Sequence, residues 1–308
     1  MAAVEAPSGL LVALSDELAG AVDRAGRAVV TVHGRRGLPA SGIVWPGGDS
    51  VVTAAHVLQR QLDIRVTLVD GRQVPAALAG WDPGSDVAVL RLAVAAPDPA
   101  ELAPGGSVKP GHVVLALGRP GDGSLMVSFG VASAIGGPWR TARGGLVEGY
   151  VRADLALPPG FSGGPLIDVR GRVVGLNSSH LAGGEAMAIP GEALERLVGA
   201  LRVRGIVRRG YLGVSSQAVE LQAALRQRLG LRQQTGLMLL GIEPGGPAEQ
   251  GGLLVGDILL TLDGKPVTDG EALLMALGPE VVGKPVAVSL VRGGAAKQLT
   301  LTPGARPE

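Results

Sequence analysis

Residues 159–166 read Pro-Gly-Phe-Ser-Gly-Gly-Pro-Leu, a serine set among glycines and prolines. Glycine adopts backbone conformations that other residues rarely reach, so this stretch predicts a tight turn around Ser162. Such a turn can expose a hydroxyl and aim neighbouring backbone N–H groups at a single point. The stretch therefore indicates either a nucleophilic serine or a glycine-rich turn without chemistry.

Two further segments supply the partners that a serine nucleophile needs. His56 follows the apolar run Val51-Val52 in the segment 53–57, and Asp86 begins the apolar run 87–90. A serine hydroxyl is a poor nucleophile at neutral pH unless a base accepts its proton, and a carboxylate fixes the tautomer of that base. The order His56, Asp86, Ser162 therefore predicts a catalytic triad, with Asp82 as a competing acid that we interpret as a turn residue.

Backbone donors beside Ser162 complete the predicted chemistry. We expect the N–H groups of Gly160 and Ser162, with Phe161 as a further candidate, to form an oxyanion hole. Loss of one such donor typically lowers the rate by ~10² to 10³. The same letters fit the nucleophile elbow of α/β-hydrolases, but no alternation of strands and helices precedes them, so that alternative is disfavoured.

The remaining sequence predicts a mainly β protein. Short β-branched runs bounded by turn residues continue from residue 28 to about 187, and the 308 residues include 50 Gly and 22 Pro. Such runs favour a barrel or sandwich. Apolar periodicity predicts helices at 15–26, with Ser15 as the candidate N-cap, and at 190–201, 219–229 and 270–277. We expect an N-terminal helical segment (1–27), an all-β domain (28–201), a linker (202–210) and a small α+β domain (211–308).

Composition excludes several classes of function. Lys plus Arg (28) and Asp plus Glu (27) nearly balance, so nucleic acid is not an expected partner. The chain has no cysteine, and no cluster of metal-ligating residues is evident, so we expect neither a metal nor another cofactor. We expect no membrane span, because no apolar run is long enough. With no signal peptide apparent, the expected location is the cytoplasm, or the periplasm or exterior if an upstream segment is missing.

The three segments, their order and their spacing resemble the HtrA/Deg family of trypsin-like serine proteases. Residues 41–44 and 187–190 resemble strands of that family's protease domain, and residues 209–214 resemble the carboxylate-binding loop of a PDZ domain. The resemblance implies a chymotrypsin-like double β-barrel followed by one PDZ domain. It also implies an ATP-independent endopeptidase of protein quality control that takes unfolded polypeptides, binds hydrophobic C-terminal peptides and is a possible homotrimer.

The same resemblance assigns binding residues. It implies that a specificity pocket is bordered by Leu157, Asn177 and Ser178, and that this pocket takes a small aliphatic side chain. It further implies that the PDZ peptide site is formed by Tyr211, Leu212, Gly213 and Val214.

The sequence also departs from the family. Phe161 stands where the family usually has Asn, and two prolines precede Gly160. These changes keep open a non-proteolytic peptide-binding or chaperone module, or a latent enzyme. Among the other histidines, His33 and His112 are interpreted as strand-end or turn residues, while a place beside the substrate cleft is an alternative for His180.

Overall fold

A closed six-stranded barrel forms from the first half of the N-terminal unit. The computed structural model describes residues 9–34, 37–59, 62–121, 123–141, 145–181 and 185–305. Strand order is β1-β2-β3-β6-β5-β4, and β1 pairs with β4 to close the barrel. The elements are α1 (Leu10–Gly26), β1 (Val29–His33), β2 (Ala40–Val44), β3 (Ser50–Ala54), β4 (Ile64–Thr67), β5 (Gln73–Asp82) and β6 (Val87–Leu92), with a 3-10 turn at Ala55–Val57.

A second closed barrel follows, with strand order β11-β14-β13-β12-β7-β8. Its strands bury small and branched side chains, which suits the narrow interior of a barrel of this size. The elements are β7 (Val113–Gly118), β8 (Met126–Gly136), a β9–β10 hairpin (Trp139–Arg140 and Leu146–Val147), β11 (Tyr150–Asp154), β12 (Pro165–Ile167), β13 (Val173–Ser178), β14 (Met187–Pro190) and α2 (Gly191–Arg204).

The C-terminal unit is a sheet with short helices, as the sequence predicted. The sheet has the order β16-β17-β18-β20-β21, and β16 lies at its edge. The elements are β15 (Gly210–Tyr211), β16 (Val214–Glu220), α3 (Ala223–Leu229), β17 (Thr235–Ile242), α4 (Pro247–Gln250), β18 (Ile258–Leu262), β19 (Lys265–Pro266), α5 (Gly270–Ala276), β20 (Val286–Arg292), β21 (Ala295–Leu301) and β22 (Gly304–Ala305), with a 3-10 turn at Pro279–Val281.

The helices predicted at 15–26 and 219–229 begin at other residues in the structure, and the helix predicted at 190–201 continues to Arg204. The first helix begins at Leu10, so Ser15 lies inside it, and Gly9 provides no side-chain cap. Leu, Val and Ala at 10–14 extend the helix because they have no competing side-chain hydrogen bond to the backbone. The predicted helix 219–229 begins at Ala223, because Val219 instead pairs with Gly236 in the sheet.

The chain divides into two compact units, Met1–Val207 and Arg208–Glu308. This division falls within the segment predicted as the linker, although α2 continues to Arg204 and occupies the first three of its positions. The N-terminal helix is part of the first unit, since Ala21 and Ala25 are buried in its core. No helix in the described part of the chain is long and apolar enough to cross a membrane.

Candidate active site

Strand pairing in the first barrel brings His56 and Asp86 together. His56 follows β3 on the 3-10 turn, Asp86 precedes β6, and the two strands pair with Ala54 opposite Val87. Two residues that flank a paired strand end must lie side by side. The backbone N–H of Ala55 also donates to the Asp86 carbonyl (3.1 Å), which holds the two turns together.

The His56–Asp86 contact is a two-point hydrogen bond. Nδ1 of His56 lies 2.8 Å from Oδ2 and 3.0 Å from Oδ1 of Asp86, and the His56 backbone N–H donates to Oδ1 (2.9 Å). Asp86 is buried, and it adopts φ 59°, a left-handed conformation that Asp tolerates better than most residues. This geometry fixes the imidazole ring through Nδ1. The other ring nitrogen, Nε2, is the one that can accept a proton from a serine hydroxyl.

A serine from the second barrel completes the carboxylate's set of donors. The Ser178 hydroxyl donates to Oδ2 of Asp86 (2.5 Å). The family resemblance implied that Ser178 borders the specificity pocket, and in the structure Ser178 is fully buried with its hydroxyl on Asp86. The competing acid, Asp82, accepts from the backbone N–H of Gly84 (2.8 Å), as expected for a turn residue.

The predicted nucleophile lies on the turn that precedes β12. Gly163 donates to the Asn177 carbonyl (2.8 Å), and Asn177 donates back to Gly164 (2.9 Å), which ties this turn to β13. A side chain at Gly163 would place its Cβ 2.2 Å from the Ser41 carbonyl oxygen, so the close approach of the two barrels requires glycine there.

The Ser162 hydroxyl is hydrogen-bonded to Ser179. The two Oγ atoms are 3.0 Å apart, and the Ser179 N–H donates to Ser162 Oγ (3.3 Å). Within the described ranges, no hydrogen bond joins Ser162 to His56. The structure thus holds the His–Asp pair assembled while the serine hydroxyl engages another partner.

The three backbone N–H groups predicted to form the oxyanion hole differ in their hydrogen bonding. The N–H groups of Gly160 and Ser162 donate to no acceptor among the described residues. The N–H of Phe161 donates to the Pro158 carbonyl (3.1 Å), so this predicted oxyanion donor is already occupied. Gly160 has φ 93°, a value reserved for glycine, and the Phe161 side chain is fully buried.

The remaining predicted pocket residues lie near the turn. Asn177 is buried in β13, and its Nδ2 has no partner within the described part of the chain. Leu157 packs against the core of the second barrel. A place beside the substrate cleft was the alternative for His180. In the structure His180 lies beside His56, and its ring is stacked on the His56 imidazole.

The predicted peptide site of the C-terminal unit lies at the start of the edge strand β16. Leu212 is buried in the core, Gly213 has φ 74°, and Val214 begins the strand. The Tyr211 hydroxyl donates to Glu243 (2.6 Å). Helix α5 packs beside β16 and is capped by Asp269, which accepts from the Ala272 N–H (2.8 Å).

No group of three or more potential metal ligands occurs among the residues that the structure describes.

Two closed six-stranded barrels with this His–Asp–Ser arrangement define a trypsin-like serine peptidase, which precedes a PDZ domain in the chain. Residues 40–176 match the family described as trypsin-like peptidase domain, and residues 210–302 match the PDZ domain family. The chain belongs to the HtrA/Deg family of serine proteases, and its region 210–302 matches one PDZ domain.

Relatives of known sequence and structure agree with this assignment. A probable periplasmic serine endoprotease, DegP-like, from Ectopseudomonas mendocina (strain ymp) is 34% identical over 273 residues, covering 87% of this chain and 56% of the relative. The HtrA-type protease AlgW with tripeptide is 31% identical with a TM-score of 0.62, covering 94% of this chain and 98% of that one. A serine endoprotease from Yersinia pestis has a TM-score of 0.66 and 27% identity, covering 98% and 100%. The chain spans about half the length of the curated relatives it matches.

Proposed function

We propose that this chain is an ATP-independent serine endopeptidase that cleaves unfolded or damaged polypeptides through an acyl-enzyme. The observation that carries the proposal is the His56–Asp86 pair, held at 2.8 Å and backed by Ser178, at the barrel junction next to the turn bearing Ser162.

The proposed reaction begins when the Ser162 hydroxyl turns from Ser179 to His56. Its proton passes to Nε2 of His56 as Oγ attacks the substrate carbonyl carbon, and the carbonyl oxygen becomes an oxyanion between the N–H groups of Gly160 and Ser162. The imidazolium, stabilised by Asp86, then gives its proton to the leaving amine, and the peptide C–N bond breaks. Water activated by His56 hydrolyses the acyl-enzyme and returns the proton to Ser162.

The pocket and the second unit define the proposed substrates. Leu157 and Asn177 support a pocket for a small aliphatic side chain, whereas the Ser178 hydroxyl is committed to Asp86. The edge strand β16 supports strand addition by an extended peptide, with backbone N–H groups near Gly213 receiving its terminal carboxylate. The proposed ligand of the PDZ domain is a peptide with a hydrophobic C-terminus. Assembly of the protein into a homotrimer stays a prediction.

The proposed compartment differs from the first expectation. The relatives are described as periplasmic, which supports the alternative of a periplasmic enzyme, and the cytoplasmic expectation receives no support from them. We propose the periplasm on this basis.

Cleavage of fluorescently labelled, denatured casein without ATP tests the proposal. Wild-type protein is expected to release fluorescent fragments, and Ser162→Ala is expected to release none above background. Equal release by both proteins would overturn the proposal. Binding of casein without cleavage by wild type would favour the non-proteolytic module, which the Ser162–Ser179 hydrogen bond keeps as the second candidate.

A further inference from the structure

We propose that Ser41 is a positioning residue that sets the orientation of the oxyanion-binding turn 158–162. The proposal rests on the protease function proposed above. Ser41 lies on β2 in the first barrel, whereas the turn belongs to the second barrel. The Ser41 side chain is fully buried.

Four hydrogen bonds converge on Ser41. Its hydroxyl donates to the Gly160 carbonyl (2.7 Å) and accepts from the Arg119 N–H (2.8 Å). Its backbone N–H donates to the Ser162 carbonyl (3.3 Å), and its own carbonyl accepts from the Thr53 hydroxyl (2.7 Å). One residue therefore bonds to the turn at two points, on either side of Phe161.

The bond to Gly160 acts on the peptide unit between the two predicted oxyanion donors. The Gly160 carbonyl and the Phe161 N–H belong to one peptide plane. Ser41 holds the carbonyl end, and the Pro158 carbonyl holds the N–H end at 3.1 Å. Rotation of this plane changes the angle between the N–H groups of Gly160 and Ser162, which must point at the same oxygen.

Glycine at position 160 makes this restraint necessary. Gly160 has φ 93° and no side chain to restrict it, so several orientations of the following peptide are open to it. The ring of Phe161 anchors the turn on one side, where a Cβ on Gly118 would lie 2.7 Å from the ring. Ser41 supplies the polar restraint that selects one orientation.

The chain offers a matched control in Thr31. Its buried hydroxyl donates to the carbonyl of the same neighbour, Arg119 (2.6 Å), and among the described residues it makes no hydrogen bond to the turn. Thr31→Val and Ser41→Ala each remove one buried hydroxyl from the first barrel next to Arg119. A general loss of packing or stability affects both variants, whereas misorientation of the turn affects Ser41→Ala alone.

The test measures the rate of labelling by a fluorophosphonate probe and the kinetic constants for denatured casein. Ser41→Ala is expected to lower the labelling rate and kcat by roughly 10- to 100-fold. This loss is smaller than the loss of an oxyanion donor itself, because both donors remain present. The KM is expected within about threefold of wild type. Thr31→Val is expected within about threefold of wild type in all constants. Ser41→Cys, which keeps a weaker donor at the same position, is expected between wild type and Ser41→Ala.

The outcomes separate this proposal from the proposed function. Ser41→Ala and Ser41→Cys rates no lower than those of Thr31→Val would overturn the positioning role while wild type remains active. A rise in KM with unchanged kcat would also overturn it, because the turn would then contribute only to ground-state binding. If Ser41→Ala does not fold, Ser41→Cys carries the comparison. An unreactive wild type would instead reject the protease function.

Discussion

The imidazole rings of His56 and His180 are stacked, with centroids 3.8 Å apart and planes inclined by 19°. The His180 backbone N–H donates to the Ser178 hydroxyl (3.1 Å), which itself donates to Asp86. The preceding residue, Ser179, holds the Ser162 hydroxyl. The segment 178–180 thus contacts all three predicted members of the triad.

This arrangement predicts that Ser179 slows acylation. Either hydroxyl can be the donor in this hydrogen bond; where Ser162 donates to Ser179, the bond must break before Ser162 donates to His56. Such a bond is worth about 1 kcal/mol net, or about fivefold in rate. Ser179→Ala is therefore expected to raise the fluorophosphonate labelling rate by roughly 2- to 10-fold. His112→Ala, at an exposed histidine, serves as a control expected to change nothing. A lower rate for Ser179→Ala would show that Ser179 supports catalysis.

Asp86→Asn is expected to lower kcat by about 10⁴-fold at neutral pH. An amide at this position presents an N–H to Nδ1 and so favours the wrong imidazole tautomer. Asn tolerates the φ of 59° that Asp86 adopts, so the fold is expected to persist. Kinetics of casein cleavage, with circular dichroism to check folding, measure this. A variant that keeps more than a tenth of wild-type kcat would reject Asp86 as the triad acid and return attention to Asp82.

The PDZ domain is expected to discriminate a free from an amidated C-terminus. Among the described residues, the N–H groups of Leu212 and Gly213 donate to no carbonyl, so they remain open to a carboxylate. Hydrogen bonds to a charged group are worth about 1.5–3 kcal/mol, so amidation of a hydrophobic peptide is expected to weaken binding by at least ~10-fold. Fluorescence polarisation with the two peptides measures this, and equal affinities would contradict carboxylate capture.

Gly213→Ala is the matching change in the protein. Gly213 has φ 74°, a conformation that strains an alanine, and a Cβ there would lie 2.8 Å from a carboxylate oxygen of Glu243, so the Glu243 side chain must also shift. Peptide affinity is expected to fall at least ~10-fold, in line with the loss of a charged hydrogen bond. Gly256→Ala carries the same backbone strain at φ 91° in open surroundings and is expected to bind peptide normally. Equal losses in both variants would point to general destabilisation.

Acid is expected to weaken the C-terminal unit through Asp257. Burial alone would raise the pKa of this carboxyl, but hydrogen bonds from Arg292 and from the Leu254 N–H outweigh it and hold the pKa below its usual value. A depressed pKa in the folded state adds stability above the unfolded pKa of about 3.9, and that contribution is lost as the pH falls through the folded pKa.

Asp257→Asn is expected to cost about 2 kcal/mol of unfolding free energy at pH 7 and much less at pH 2 to 3. Urea unfolding of the full chain, with pulse hydrogen exchange reporting on peptides of β18 and β20, measures the difference. Asp263→Asn, at an exposed turn in the same unit, is the control. A difference between Asp257→Asn and wild type that does not change with pH would contradict the charged role of Asp257.

The residues predicted as the triad could be singled out from the sequence because each lies close to the end of a strand that local pattern identifies. His56 follows an apolar run and Asp86 precedes one, and pairing of β3 with β6 joins them. The hydroxyl of Ser178 was assigned to the pocket because its orientation depends on how β13 meets the first barrel, which no local pattern encodes. For the same reason, the contacts of Ser41 and Ser179 emerge only from the tertiary structure.

The helix boundaries illustrate the same limit. The apolar segment 10–14 is exposed, so burial of an apolar face does not account for its helix, and the helical state there follows from intrinsic propensity. Val219 fits the apolar spacing of the helix that follows it, but it pairs with Gly236 in the sheet, and the sheet pairing prevails.

Reaction with a fluorophosphonate probe followed by mass spectrometry tests whether Ser162 is the nucleophile. We expect one phosphonyl adduct per chain, located on Ser162, and none on Ser162→Ala or on protein unfolded in urea. An adduct at another residue, or equal labelling of the folded variant, would contradict the assignment of Ser162 as the nucleophile of a serine protease.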